Sequence, residues 1–169
     1  MDASRASEPA PMKHPTHAER KSERELVVTR TIRGPARLVF EAWTRPELLV
    51  RWWIPKSFNV TVLSCELDAR VGGKYRLVFA QPDGSPGMAF FGTYTEVKPY
   101  TRLVWTNEEN PAGHTITTVT LEERGGQTHV VVHDLYPSKD ALDEHMASGA
   151  TGGMEETFDQ LEAFLAASK

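Results

Sequence analysis

The sequence predicts an α+β domain: a curved antiparallel sheet of six to seven strands around one long C-terminal helix. Three observations carry that expectation. The first is the stretch from 150 to 168, where Met154, Phe158, Leu161, Phe164 and Leu165 follow one another at spacings of 4, 3, 3 and 1. Those spacings keep them on one stripe of a helix with a 3.6-residue period. Glu155, Glu156, Asp159, Gln160 and Glu162 fall on the other side. A helix of about 15 residues is roughly 22 Å long, and its apolar stripe has to be buried on something. The second observation is that almost everything between Leu26 and Leu135 reads as strand, interrupted by short runs of turn-forming residues. The third is that the two short helices expected in this region both fall between the first two strands. A parallel sheet would need a helix after nearly every strand.

The elements follow in order. Residues 1–22 contain Pro9, Pro11 and Pro15 with small and charged residues and no apolar period, which predicts a disordered tail ahead of a domain spanning 23–169. His14 and His17 lie three apart, but in such a tail the pair is read as solvated rather than metal-binding. Glu23 to Ile32 is the first strand. Gly34-Pro35 ends it and Pro35 opens a short helix with Val39, Phe40 and Trp43 inward. Pro46 opens another, with Leu48, Leu49 and Trp52 inward, which stops before Pro55. The remaining strands are expected at 58–67, 74–80, 88–97, 102–107, 114–122 and 128–135. Their joints are short, so consecutive strands pair as hairpins in a meander. Ser138 is a good N-cap for a helix through Met146.

Strand parity then separates the two faces of the sheet. Tyr75, Leu77 and Phe79 share the inward face. So do Phe90, Gly92, Tyr94 and Glu96; Leu103, Trp105 and Asn107; Thr117, Val119 and Leu121; and Thr128, Val130, Val132 and Asp134. His133 falls outward. The residues expected to line the space between sheet and helix are Trp43, Trp53, Tyr75, Leu77, Phe90, Tyr94, Glu96, Trp105, Val119, Met154 and Phe158. Glu96, Asn107 and Asp134 are polar groups on that face. Burial without partners would cost several kcal/mol, so they must be paired, wet or facing a cavity. Glu96 or Asp134 could serve there as a ligand anchor or a base with a raised pKa.

Composition excludes several classes. The chain has 169 residues, 40% hydrophobic and 9% aromatic, with a net charge of −4. That is a globular composition and not the basic one of a nucleic-acid binder. A single cysteine, Cys65, allows no intrachain disulfide, which fits a reducing cytoplasm. No apolar run reaches the roughly 18 residues of a membrane span, and the N-terminus has no signal-peptide core. No Gly-x-Ser-x-Gly motif, phosphate loop or zinc spacing occurs. No catalytic residue, metal ligand or cofactor is therefore assigned.

Three ordered blocks carry a family resemblance: Phe40-Glu41-Ala42-Trp43-Thr44-Arg45-Pro46-Glu47 with Arg51-Trp52-Trp53-Ile54-Pro55; Asp68-Ala69-Arg70-Val71-Gly72-Gly73-Lys74-Tyr75-Arg76; and Gly92-Thr93-Tyr94-Thr95-Glu96-Val97 with Arg102-Leu103-Val104-Trp105. Together, over about 26–166, the chain resembles the activator of heat-shock protein 90 ATPase homologue (AHSA-type) family of the START-like, or SRPBCC, superfamily. The resemblance implies the helix-grip fold of the birch-pollen allergen, with a cavity under the long helix. It also implies a range of functions: lipid and other hydrophobic-ligand binding, cyclase- or hydrolase-type catalysis with a cavity carboxylate, or a stress-response role beside a chaperone ATPase. The leading expectation is a cytoplasmic protein, monomer or homodimer, that binds a small hydrophobic molecule, with catalysis left open. One position departs from the family pattern. Where Gly-Trp usually opens the last helix, this chain has Gly153-Met154. A smaller, more adaptable side chain there predicts a cavity open near Met154, faced by Tyr75, Phe90 and Trp105.

Overall fold

The computed structural model describes residues 14–167. It contains the strands β1 (His17–Arg20), β2 (Glu25–Ile32), β3 (Val62–Leu67), β4 (Lys74–Ala80), β5 (Pro86–Lys98), β6 (Arg102–Asn107), β7 (Thr115–Arg124) and β8 (Gln127–Leu135). The helices are α1 (Ala36–Thr44), α2 (Pro46–Leu49), α3 (Lys139–Ala147) and α4 (Gly153–Ala167). The strands form one sheet in the order β1-β2-β8-β7-β6-β5-β4-β3, and each neighbouring pair is antiparallel. This is the expected curved sheet with a C-terminal helix, with eight strands rather than six or seven.

The additional strand is β1, which lies inside the stretch expected to be a disordered tail. His17–Arg20 pairs with Leu26–Thr29. All four of its residues are exposed, so it has no apolar alternation to read. Backbone pairing holds it to the sheet, and an ion pair of 2.7 Å from Arg20 to Asp143 ties it to α3. Residues 1–13 of the expected tail lie outside the described residues.

The period-2 reading holds across the inward face. Leu26, Val28 and Ile32 of β2, Leu77 and Phe79 of β4, Leu103 of β6, Val119 and Leu121 of β7, and Val130 and Val132 of β8 are all buried. They meet Phe158, Leu161 and Leu165 of α4 in one core. Trp43, Trp52 and Trp53 close the end of that core edge-to-face, with ring centroids 4.9 Å apart for Trp43–Trp52 and 5.5 Å for Trp52–Trp53. Trp52 donates its indole N–H to the Ala42 carbonyl at 3.0 Å. Ser138 caps α3 as expected, its hydroxyl accepting from the Ala141 N–H at 3.1 Å.

The expected solvent face of α4 is also corrected. Glu162 is buried. It receives Arg30 of β2 and, through Oε2, the Arg33 guanidinium at 2.8 Å and the Arg33 backbone N–H at 2.9 Å. Arg30 is buried as well and also reaches Asp159 at 2.8 Å. On the same helix Gln160 donates to the carbonyls of Trp52 and Ile54 at 2.8 and 2.9 Å. Glu156 accepts from the Ser57 backbone N–H at 3.0 Å. The helix is therefore held by its polar side too, against the loop that follows α2.

Candidate functional site: a cavity between sheet and helix

The site begins with a glycine. Gly92 on β5 stands in register between Tyr75 on β4 and Asn107 on β6. A Cβ at Gly92 would lie 2.9 Å from the Tyr75 ring, closer than a side chain tolerates. With no side chain there, the Tyr75 ring lies across β5 and reaches the next strand. Its hydroxyl meets Asn107 Oδ1 and the Thr106 carbonyl, each at 3.0 Å. Asn107 Oδ1 also accepts from the Trp105 indole at 3.2 Å. Its amide nitrogen donates to the Thr115 carbonyl at 3.0 Å and to Thr117 Oγ1 at 2.9 Å. Thr117 in turn donates to Asp134 Oδ1 at 2.5 Å. One hydrogen-bonded chain thus crosses from β4 to β8 along the inner face of the sheet.

Asp134 ends that chain. It lines the cavity and stays partly accessible within it, yet protein surrounds it. Desolvation pushes its pKa up to about 6, against the smaller opposing effects of the Thr117 hydrogen bond and of His133. The folded-state value lies above the unfolded one. Ionisation therefore costs stability as the pH rises through about 6, and the cost is absent below about pH 4. Asp134→Asn keeps an acceptor for Thr117. It is expected to stabilise the fold by about 2–3 kcal/mol at about pH 8 and to be neutral at about pH 4. Urea midpoints at the two pH values check this; a variant weaker than the parent at the higher pH would show that ionised Asp134 is well compensated.

The remaining walls are mostly apolar. Trp43, Leu49 and Trp53 from the helical segment, Leu77, Phe79 and Tyr94 from the sheet, and Met154 and Thr157 from α4 enclose a cavity of about 620 Å³. That is within the usual range of small-molecule sites. Phe58, Val60, Met88 and Phe90 line the cavity and are also exposed, which places them at its mouth. Trp43 is buried on the cavity wall, and among the described residues its indole N–H has no partner. His145 reaches the cavity from α3, tilted on Tyr136 with ring centroids 5.4 Å apart. Burial lowers its pKa, disfavouring its charged form.

Most of the residues expected at this site converge there. Trp43, Trp53, Tyr75, Leu77, Phe90, Tyr94, Trp105 and Met154 all line the cavity. Val119 and Phe158 do not: both are sealed in the core beneath it. Glu96 is on the other face. The β5–β6 register shifts between Tyr94 and Glu96, so a bulge at Thr95 reverses the alternation. Val97 takes the inward position opposite Leu103, and Glu96 pairs outside with Arg102 at 2.9 Å and Lys98 at 3.4 Å. His133 is outward as expected, against Glu25 at 2.8 Å. His145 was not among the expected residues. Its place follows from how α3 packs, which no local pattern encodes. Among the described residues no cluster of side chains is arranged to hold a metal ion.

A curved antiparallel sheet, a crossing C-terminal helix and a cavity between them define a START-like, helix-grip protein. Residues 33–166 match the family described as Activator of Hsp90 ATPase homolog 1-like protein, and the chain belongs to that family. Solved structures agree. A crystal structure of a protein from Rhodobacter sphaeroides is 25% identical, covers 90% of this chain and 99% of that one, and superposes with a TM-score of 0.83. A protein from Chromobacterium violaceum is 30% identical over 82% of this chain and 95% of that one, at a TM-score of 0.66. An AHSA1-like protein from Aeromonas hydrophila, 24% identical over 84% and 93%, has a TM-score of 0.66 and shows the fold alone. No curated protein matches the sequence. Among the described residues no helix is long and apolar enough to cross a membrane.

Proposed function

We propose that this protein binds a small, mostly apolar molecule, held between the sheet and α4. One observation carries the reading: a cavity of about 620 Å³ with mostly apolar walls crossed by a hydrogen-bonded polar strip, Tyr75–Asn107–Thr117–Asp134. Apolar enclosure supplies affinity, and a few fixed polar groups orient the ligand. The exposed side chains of Phe58, Val60, Met88 and Phe90 give an apolar ligand a path in.

Native mass spectrometry of the purified protein tests for a co-purified molecule, and titration with the neutral probe N-phenyl-1-naphthylamine tests the cavity itself. A saturable rise in probe fluorescence is expected. Met154→Trp restores the bulkier residue usual in the family. It is expected to abolish that rise while holding or raising the melting temperature, because filling an empty space is a recognised stabilising change. Overpacking a full one would instead cost about 1–3 kcal/mol. A destabilised Met154→Trp variant together with no probe uptake by the parent would remove the cavity and the function with it.

A further inference from the structure

The polar strip has a direction. Asn107 Oδ1 accepts from both Tyr75 and Trp105, so its amide nitrogen must donate, and one of its acceptors is the Thr117 hydroxyl. Having accepted, Thr117 gives its only proton to Asp134 Oδ1. One Asn107 N–H goes to the Thr115 carbonyl, and the other starts a run of donors through Thr117 that ends on Asp134. Among the described residues the second carboxylate oxygen, Oδ2, has no hydrogen-bond partner, and Asp134 remains accessible inside the cavity. The strip therefore presents an open acceptor to whatever occupies the space.

The charges around it point the same way. Asp134 and Glu109 line the cavity, and among the described residues no lysine or arginine does. Among the described residues Glu109 accepts only a 3.2 Å contact from the Phe91 backbone N–H. Among the described residues the one potential cation on the wall is His145, whose burial disfavours its charged form. An anionic headgroup would be desolvated beside a carboxylate with no counter-ion, which is the costly arrangement. The unpartnered Trp43 N–H is one neutral donor and does not offset that.

Resting on the proposed ligand-binding reading, we infer that this cavity selects neutral apolar molecules whose polar end carries a hydrogen-bond donor, such as a hydroxyl, and rejects fatty-acid carboxylates. A hydroxyl donates to Asp134 Oδ2 in a charge-assisted hydrogen bond. An ester of the same length has no proton to give, and a carboxylate adds repulsion.

The test is competition against N-phenyl-1-naphthylamine at about pH 8, where Asp134, with a pKa of about 6, is ionised. The competitors share a chain length: 1-dodecanol, methyl dodecanoate and sodium dodecanoate. Dodecanol is expected to displace the probe at a concentration about tenfold below the ester, the worth of one charge-assisted hydrogen bond, with dodecanoate weakest. In Asp134→Asn the alcohol-to-ester gap is expected to shrink to about threefold or less. Equal displacement by alcohol and ester overturns the donor requirement, and dodecanoate matching the alcohol overturns the exclusion of anions. Either result with the probe still bound leaves the ligand-binding reading standing; no probe uptake by the parent overturns both. The ranking in the parent protein decides the matter even if the variant fails to fold.

Discussion

Phe158→Ala is expected to lower the stability of the fold by about 3–5 kcal/mol, the cost of removing a buried aromatic ring and leaving the space behind. Phe158 is fully enclosed, one turn along α4 from Met154, with its ring centroid 6.4 Å from that of Trp43. It belongs to the seam that fixes the helix on the sheet and stands behind the cavity wall, not in it. The urea midpoint should fall sharply with little change in slope, because the surface exposed on unfolding is nearly the same. A midpoint within a few tenths of a molar of the parent would mean that the helix does not grip the sheet through this residue. Near-UV circular dichroism gives an independent check, since loss of the ring should disturb the Trp43 environment.

Glu162→Ala is expected to cost about as much, about 3–5 kcal/mol, for a different reason. Arg30 is buried beneath α4, and Glu162 is the buried carboxylate that it meets. Removing the carboxylate leaves a guanidinium in the core with Asp159 as its remaining anionic partner at 2.8 Å, and that partner is partly exposed. The cost lies in the stranded charge more than in the lost contact. Replacing both partners with apolar residues, Arg30→Met with Glu162→Leu, should therefore recover most of the loss relative to Glu162→Leu alone. If the double variant is no better than the single one, the pair matters through shape and not through charge.

Sequence pattern was a good guide wherever a regular period met a buried face. β4 and β6 have the bounds expected, and the inward residues of β4, β6, β7 and β8 follow from alternation alone. The same rule misplaced Glu96, because one extra residue at Thr95 reverses the alternation and nothing in Tyr-Thr-Glu-Val announces it. β1 was missed because four exposed residues held by backbone bonds have no side-chain signature. The burial of Glu162 was different: a signal existed. Arg30 shares parity with Leu26, Val28 and Ile32 on β2, and a buried arginine requires a carboxylate from some facing element. α4 offered several, and only the packing of helix on sheet selects among them. The polar strip was half legible, in that Asn107, Thr117 and Asp134 were assigned inward. That they join into one directed chain depends on register across three strands and on the missing side chain at Gly92.

The placement of the tryptophans gives the protein an optical readout of its own. Of the four in the sequence, Trp43, Trp53 and Trp105 stand on the cavity wall, while Trp52 is packed behind them. Three of the four emitters would therefore touch an occupant directly. The fourth lies 4.9 Å from Trp43, close enough to exchange excitation with it. Occupancy should thus appear in the intrinsic emission as a shift in wavelength, or as quenching by any ligand that absorbs near it. Ligands with no colour of their own can then be screened against the unlabelled chain.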